Sequence, residues 1–314
     1  MTTVPATDVF EGERRRLFTL AYGLLGSRAE AEDIMQDAWL RWQANRSDGI
    51  RDPAAWLTTA TTHLALDHLR SARVRRETYP GVWLPEPIVE TRSPEACVLA
   101  KSDLSVAFLF LLEQLGPEER AAFVLREVFE HSYREIGDVL GKSKAACRQL
   151  VKRGREKVRQ DSPADGRARR AEMDSVLERF VTAVAAGDEA ALLRLLAPHA
   201  VLYGDGGGKA ASVVNPIYGA ERIVRFIIGL RRKYPGEFSY ARADVNGSPG
   251  LLVLRRGEVQ SVTSYEIAGG RIVTLFHVVN PDKILATPVR PRALPASGAP
   301  LGAYPPLGCC RIPE

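Results

Sequence analysis

Apolar residues recur at intervals of three and four through about the first 160 of the 314 positions, then give way to a mixture of helical and alternating spacing. From Gly12 to Gln43 the chain is dense in helix formers, and Gly26-Ser27-Arg28 divides them into two segments, with Ser27 placed to cap the second. In that second helix Ala31, Ile34, Met35, Ala38, Trp39 and Trp42 make one apolar stripe, so Glu32, Asp33, Gln36, Asp37 and Arg41 face away. Asp52 before Pro53 predicts the start of a third helix, which runs to Arg70 and ends in the basic run at residues 71–76. Prolines at 80, 85, 87 and 94 then exclude both helix and central strand. A flexible spacer should be polar, yet Val82, Trp83, Leu84, Ile88 and Val89 are apolar. Either this stretch packs locally on a helical domain, or its prolines hold it extended at low entropic cost to dock on another surface.

Further along, Ser132 and Glu135 form a capping box that opens a helix at Tyr133. Its apolar face is Tyr133, Ile136, Val139 and Leu140, and Gly141 stops it as a left-handed residue can. Ser143 caps a second helix, with a buried stripe of Cys147, Leu150, Gly154 and Val158 and an opposite face carrying Lys144, Arg148, Lys152 and Arg155, flanked by Gln149 and Arg153. The pattern is that of a helix-turn-helix. In such a motif residues near the start of the second helix reach base edges and later ones meet phosphates, which assigns Arg148 and Gln149 to bases and Lys144, Lys152, Arg153 and Arg155 to backbone. A surface hairpin with a solvated basic face is the alternative.

After the polar stretch 160–170 the pattern predicts helices at 171–185 and 188–196, a strand from Ala200, a helix at 220–232, and strands at 238–245, 250–255, 258–267 and 271–279, the last two joined at Gly269-Gly270. Helices on a curved antiparallel sheet give an α+β cone. Tyr203, Asp205, Tyr265 and His277 are groups an isomerase-like site would use, but nothing in their spacing brings them together. Gly204-Asp-Gly-Gly-Gly-Lys209 fails as a phosphate loop, because the motif needs glycine at Tyr203 and a hydroxyl at Ala210. Residues 287–314, rich in Pro, Gly and Ala, should be disordered.

Composition adjusts this picture only slightly. A net charge of +5 and a pI near 9.1 permit a polyanionic partner without demanding one. The amino terminus lacks the features of a signal peptide and no run is long enough to span a bilayer, so a cytoplasmic protein is expected. Cysteines 97, 147, 309 and 310 show neither a disulfide framework nor metal-ligand spacing, and no catalytic, metal or cofactor site is expected.

Residues 117–129 with the helix-turn-helix resemble region 4 of bacterial sigma factors, which binds the −35 promoter element. Gly137 and Gly154 stand where alanine is usual in that family, and Cys147 where valine is common. The segment 31–42 resembles region 2.2, and implies that Asp33, Gln36 and Asp37 dock on the clamp helices of the largest polymerase subunit. The helix from Pro53 resembles regions 2.3 and 2.4, which capture the melting −10 element. It implies contacts from His63, Asp67, His68, Arg70 and Arg73 and a base accommodated by the loop 45–52; His63 replaces the usual asparagine. The combination in one short chain matches the extracytoplasmic-function class. The whole chain is similar to a subgroup of that class carrying a SnoaL-like extension of the NTF2-like fold. Its three motifs are all present, as Trp83-Leu84-Pro85-Glu86-Pro87, Asp205-Gly206-Gly207-Gly208-Lys209 and Asn280-Pro281-Asp282-Lys283.

The resemblance implies region 2 at residues 1–78, a linker at 79–95, region 4 at 96–160, a second linker at 161–170, the cone at 171–285 and a tail at 286–314. It further implies an extension that modulates activity in cis in place of a separate anti-sigma factor. Core RNA polymerase and promoter DNA are the expected partners, with no membrane, and whether the cone holds a small-molecule effector stays open. A helix-turn-helix repressor that does not act with polymerase and a fused SnoaL-like enzyme are the alternative functions.

Overall fold

A computed structural model of the chain describes residues 6–45, 50–89, 104–158 and 166–284. The expectations for residues 46–49 of the region 2 loop, for the region 4 lead at 96–103, for the polar stretch at 159–165, for cysteines 97, 309 and 310 and for the tail at 286–314 lie outside the described residues.

Helices α1 (Ala6–Leu25), α2 (Arg28–Asn45) and α3 (Pro53–Glu77) pack on one another, and α4 (Val106–Leu112), α5 (Pro117–Glu127), α6 (Tyr133–Leu140) and α7 (Lys144–Lys157) follow. The caps are those the sequence predicts. Asp52 accepts from the Ala55 amide at 3.0 Å, Ser132 and Glu135 form a reciprocal box, Gly141 is left-handed at φ 63°, and Ser143 accepts from the Ala146 amide at 3.2 Å. The two helical parts do not have separate cores. Leu17, Leu24, Leu57 and Leu66 share one continuous apolar cluster with Leu109, Phe123, Val124, Ile136 and Val151.

The structure gives a packing reason for the two helical glycines. A Cβ on Gly137 would come within 2.6 Å of the Lys142 carbonyl, and one on Gly154 within 2.8 Å of the Phe123 ring. The propensity cost of glycine, roughly 0.5 to 1 kcal/mol each, is therefore offset by close approach of neighbouring elements.

The carboxy-terminal domain comprises α8 (Gly166–Ala186), α9 (Glu189–Leu195), β1 (Leu196–Asp205), β2 (Ile217–Tyr218), α10 (Ala220–Lys233), β3 (Phe238–Val245), β4 (Ser248–Arg255), β5 (Glu258–Ala268), β6 (Arg271–Val278) and the turn α11 (Pro281–Ile284). Its strand order is β2-β1-β6-β5-β4-β3. Two expectations are corrected. The sheet is not wholly antiparallel, because β1 pairs with β6 in parallel, as a strand that returns only after intervening crossover structure can. In addition, the stretch expected to be linker through residue 170 is already helical from Gly166. The short edge strand β2 carried no sequence signal of its own.

Alternation along the strands gives the sheet two apolar faces. Leu202, Leu251, Tyr265 and Leu275 pack under α8 to α10 with Val176, Phe180 and Ile223. On the other face Leu252, Leu254, Val262, Phe276 and Val278 pack against Leu84 and Val89 of the proline-rich stretch and Val106 of α4. This second face brings the cone onto the helical half.

Candidate functional site: the interdomain junction

Residues 84–89 of the proline-rich stretch are buried where the three parts of the chain meet, and its positions 90–95 lie outside the described residues. Asp205, at the end of β1, is fully buried, and four donors satisfy its carboxylate. Oδ1 accepts from the Tyr79 hydroxyl at 2.5 Å and the Gly207 amide at 3.1 Å. Oδ2 accepts from the Leu84 amide at 2.9 Å and Lys283 Nζ at 2.7 Å. Lys283 also donates to the Leu84 carbonyl and lies 4.1 Å from the centre of the Trp83 ring. Burial pushes the Lys283 ammonium down from its ordinary pKa, and the Asp205 carboxylate opposes that shift. Asn280 donates to the Tyr79 hydroxyl at 2.9 Å, and Lys209 reaches Asp282 at 2.6 Å. Thus the three motifs singled out in the sequence converge on one cluster. Gly207 is left-handed at φ 60°, and any Cβ there would overlap the Asn280 amide, so the glycine loop is shaped by close approach.

From this cluster the linker crosses to region 2. Glu86 is 3% exposed, and its Oε2 accepts from the Ser27 hydroxyl at 3.0 Å and the Arg28 and Ala29 amides at 2.9 and 3.3 Å. A carboxylate from the linker therefore sits on the amino terminus of α2, where free amides and the helix dipole favour negative charge. Burial raises the Glu86 pKa, and these hydrogen bonds hold it back. Trp83 is also approached by Arg76, 3.6 Å from the ring centre. Arg76 donates to the Leu25 carbonyl at 2.6 Å and pairs with Glu113, which in turn pairs with Arg120 of α5. Arg76 belongs to the basic run at 71–76 that ends the helix resembling regions 2.3 and 2.4, and its partial burial against Trp83 and Glu113 could not be read from composition.

Sequence reasoning missed Asn246. It occupies a two-residue turn between β3 and β4 with Gly247, at φ 51° and 74°. Its amide accepts from Ile88 N at 2.9 Å and donates to the Tyr22 hydroxyl at 2.7 Å and the Leu104 carbonyl at 3.0 Å. The Asn-Gly pair between strands is a strong hairpin signal and would have found the turn, though not its partners.

The residues assigned to DNA fall into two groups. Lys144, Arg148, Gln149, Lys152, Arg153 and Arg155 are all exposed on α7. Arg153 and Arg155 turn back to Glu119 and Glu127 of α5, at 3.1 and 2.8 Å, pairs exposed enough to be weak. On α3, His63 Nε2 lies 2.6 Å from the Val139 carbonyl of α6, and Arg70 lies 2.9 Å from Asp67 and 4.0 Å from Glu118 of α5. A groove of about 320 Å³ at this seam is lined by Arg41, His63, Asp67, Arg70 and Glu118. His68 points elsewhere, to Glu30 of α2 at 3.1 Å, and the Arg73 side chain lies outside the described residues. Asp33, Gln36 and Asp37 share an exposed face of α2 with Leu40, which is 61% exposed.

The enzyme-type groups do not assemble. Asp205 faces the linker cluster, whereas His277 pairs across from Gly204 on the adjacent position of the ladder and so lies on the opposite face of the sheet. There His277 Nδ1 is 2.8 Å from the Thr263 hydroxyl, and burial holds its pKa down to about 4. The neutral imidazole stabilises the fold fully above about pH 6.5, and that contribution, roughly 3 kcal/mol, is lost as pH falls toward 4. Thermal unfolding from pH 7.5 to 4.5 should show the wild type losing stability faster than His277→Gln; parallel curves would exclude this origin.

A three-helix polymerase-type module followed by a helix-turn-helix defines a class, and family profiles agree: Sigma-70 region 2 matches residues 9–75 and Sigma-70 region 4 matches residues 105–158. These are sigma factors, promoter-recognition subunits of bacterial RNA polymerase. The chain is 39% identical over 301 residues to the ECF RNA polymerase sigma factor SigJ of Mycobacterium tuberculosis, covering 92% of this chain and 96% of that one. It is 30% identical to the probable sigma factor SigI of the same species, over 89% and 95% of the two chains. The crystal structure of M. tuberculosis SigJ superposes with a TM-score of 0.75 at 37% identity, covering 90% of this chain and 99% of that one. The chain belongs to the extracytoplasmic-function family of RNA polymerase sigma factors, with a SnoaL-like α+β extension. Sigma factors bind core RNA polymerase and promoter DNA. Among the described residues no helix is long and apolar enough to cross a membrane.

Proposed function

We propose that the SnoaL-like cone controls this sigma factor in cis, by holding the linker between regions 2 and 4. The observation that carries the reading is the carboxylate of Asp205, which binds the linker at both Tyr79 and Leu84 while paired with Lys283. Because the cone is tethered, its contacts form at high effective concentration and need not be individually strong. A separate anti-sigma factor is then unnecessary. The cone acts as a positioning module and not as an enzyme, since its buried aspartate is committed to the linker, and the protein works in the cytoplasm with its polymerase.

On polymerase, Asp33, Gln36 and Asp37 meet the clamp helices, an acidic surface suited to fast encounter with a basic one. His63, Asp67, His68, Arg70 and Arg73 serve the −10 element, and Lys144, Arg148, Gln149, Lys152, Arg153 and Arg155 serve the −35 element. Run-off transcription with core polymerase tests the proposal. Trp83→Ala should change promoter-directed output of the full chain but not of a chain ending at Asp165, and equal effects in both would remove it.

A further inference from the structure

The arrangement of the DNA-reading helices implies that the described conformation is a closed one. Elements centred at −10 and −35 lie about 25 base pairs apart, or about 85 Å along B-form DNA at about 3.4 Å per base pair. Here α3 touches α6 directly, through His63 and the Val139 carbonyl, and shares a core with α5. A chain engaged at both elements must part this seam, so whatever holds the seam governs entry to the promoter.

Asn246 is placed to do so. It is 3% exposed and its side-chain amide makes three hydrogen bonds, each to a separate part of the chain: α1 through Tyr22, the linker through Ile88, and the segment leading into α4 through Leu104. Its own amide N–H donates to the Ile88 carbonyl at 2.9 Å, and Val89 bridges to Val245 beside it. The Tyr22 hydroxyl that accepts from Asn246 donates onward to the Glu86 carbonyl at 2.7 Å. Tyr22 is fully buried, so loss of either partner leaves a polar group stranded in a dry environment. The residue type is doubly determined. A left-handed position at φ 51° favours asparagine or glycine, and only asparagine also supplies one acceptor and two donors. None of these bonds involves Asp205, Lys283 or the glycine loop.

We propose that the Asn246-Gly247 turn is a second anchor of the cone, distinct from the Asp205 cluster, and that Asn246 is the positioning residue that holds region 2 and region 4 in the closed arrangement. Opening on polymerase then requires withdrawal of this turn. The proposal rests on the reading of the cone as a cis regulator, and extends it from a hold on the linker to a hold on both promoter-binding regions.

The test is Asn246→Gly in the full chain. Glycine keeps the left-handed turn and removes only the side-chain amide, so β3 and β4 stay paired. Hydrogen exchange should accelerate by about tenfold or more at Ile88, whose amide loses its acceptor, and the radius of gyration from small-angle scattering should rise as the seam parts. Exchange in β3 and β4 and at Leu84, held by Asp205, should stay as in the wild type. Tyr22→Phe, which strands the Asn246 amide and the Glu86 carbonyl but leaves the Ile88 acceptor in place, should reproduce the rise in radius of gyration, and combining the two should add little to it. Unchanged Ile88 exchange with unchanged dimensions overturns the proposal, and so does equal acceleration throughout the sheet, which would make Asn246 merely structural. These readouts need neither polymerase nor promoter. They therefore stand apart from the Trp83 transcription test, and failure of that test with an opened Asn246→Gly chain would reject regulation by the linker while keeping the anchor.

Discussion

Replacing Asp205 by alanine is expected to detach the linker from the cone at a cost of about 3 to 5 kcal/mol, the range for removing one partner of a buried ion pair. The substitution strands Lys283, which is 9% exposed, and takes acceptors from the Tyr79 hydroxyl and the Leu84 amide. The burial that already lowers the Lys283 pKa would then act unopposed by a carboxylate, so the lysine would tend to lose its proton or swing out to solvent. The companion variant Asp205→Ala/Lys283→Met should recover much of the loss, because it removes both charges and keeps the apolar stem against Trp83. Urea unfolding of wild type, both single variants and the double variant gives the coupling directly. Additive losses would mean that the charge pair is not what binds the linker.

Glu113→Ala should be comparably severe, again about 3 to 5 kcal/mol, for a related reason at a different seam. Arg120 is 2% exposed and relies on Glu113 for charge compensation, as does Arg76. Burial by itself would raise the Glu113 pKa, yet the guanidiniums of Arg120 and Arg76 bring it below the ordinary carboxylate value. A depressed carboxylate contributes stability above its ordinary range, and that contribution is lost as pH falls through the folded-state value. The deficit of Glu113→Ala relative to wild type should therefore be full at neutral pH and should shrink in acid. Because Arg76 also contacts Trp83, the variant should loosen the linker along with the joint between α3 and α5. Denaturant titrations at neutral and acidic pH check both parts, and a deficit that does not vary with pH would reject the charge argument.

Much of the fold could be read along the chain because its signals are local. The capping boxes, the left-handed Gly141 and the periodic stripes each involve residues within one or two turns of one another. Apart from the short edge strand β2, which was missed, the strand starts were legible to within four residues, whereas the parallel pairing of β1 with β6 depends on a crossover whose direction no local pattern records. Likewise the sequence showed three motifs but no reason for them to meet.

Their meeting at Asp205 is decided by tertiary structure. The hydrophobic pattern reports only that Val82, Leu84 and Val89 must be covered, and several surfaces could have done so. The same holds for Arg76, which the sequence shows only as part of a basic run and which packing half-buries against Trp83 and Glu113. It holds again for Asn246, whose sequence identifies a turn and whose partners are 142 to 224 residues away along the chain. Most helices, the caps at Asp52, Ser132 and Ser143, the two promoter-reading modules and the α+β extension were legible along the chain, since short-range sterics and periodicity are written in neighbouring residues. Tertiary structure alone decided which buried polar groups satisfy one another, because that matching joins distant segments and is settled only when water is excluded from all of them together.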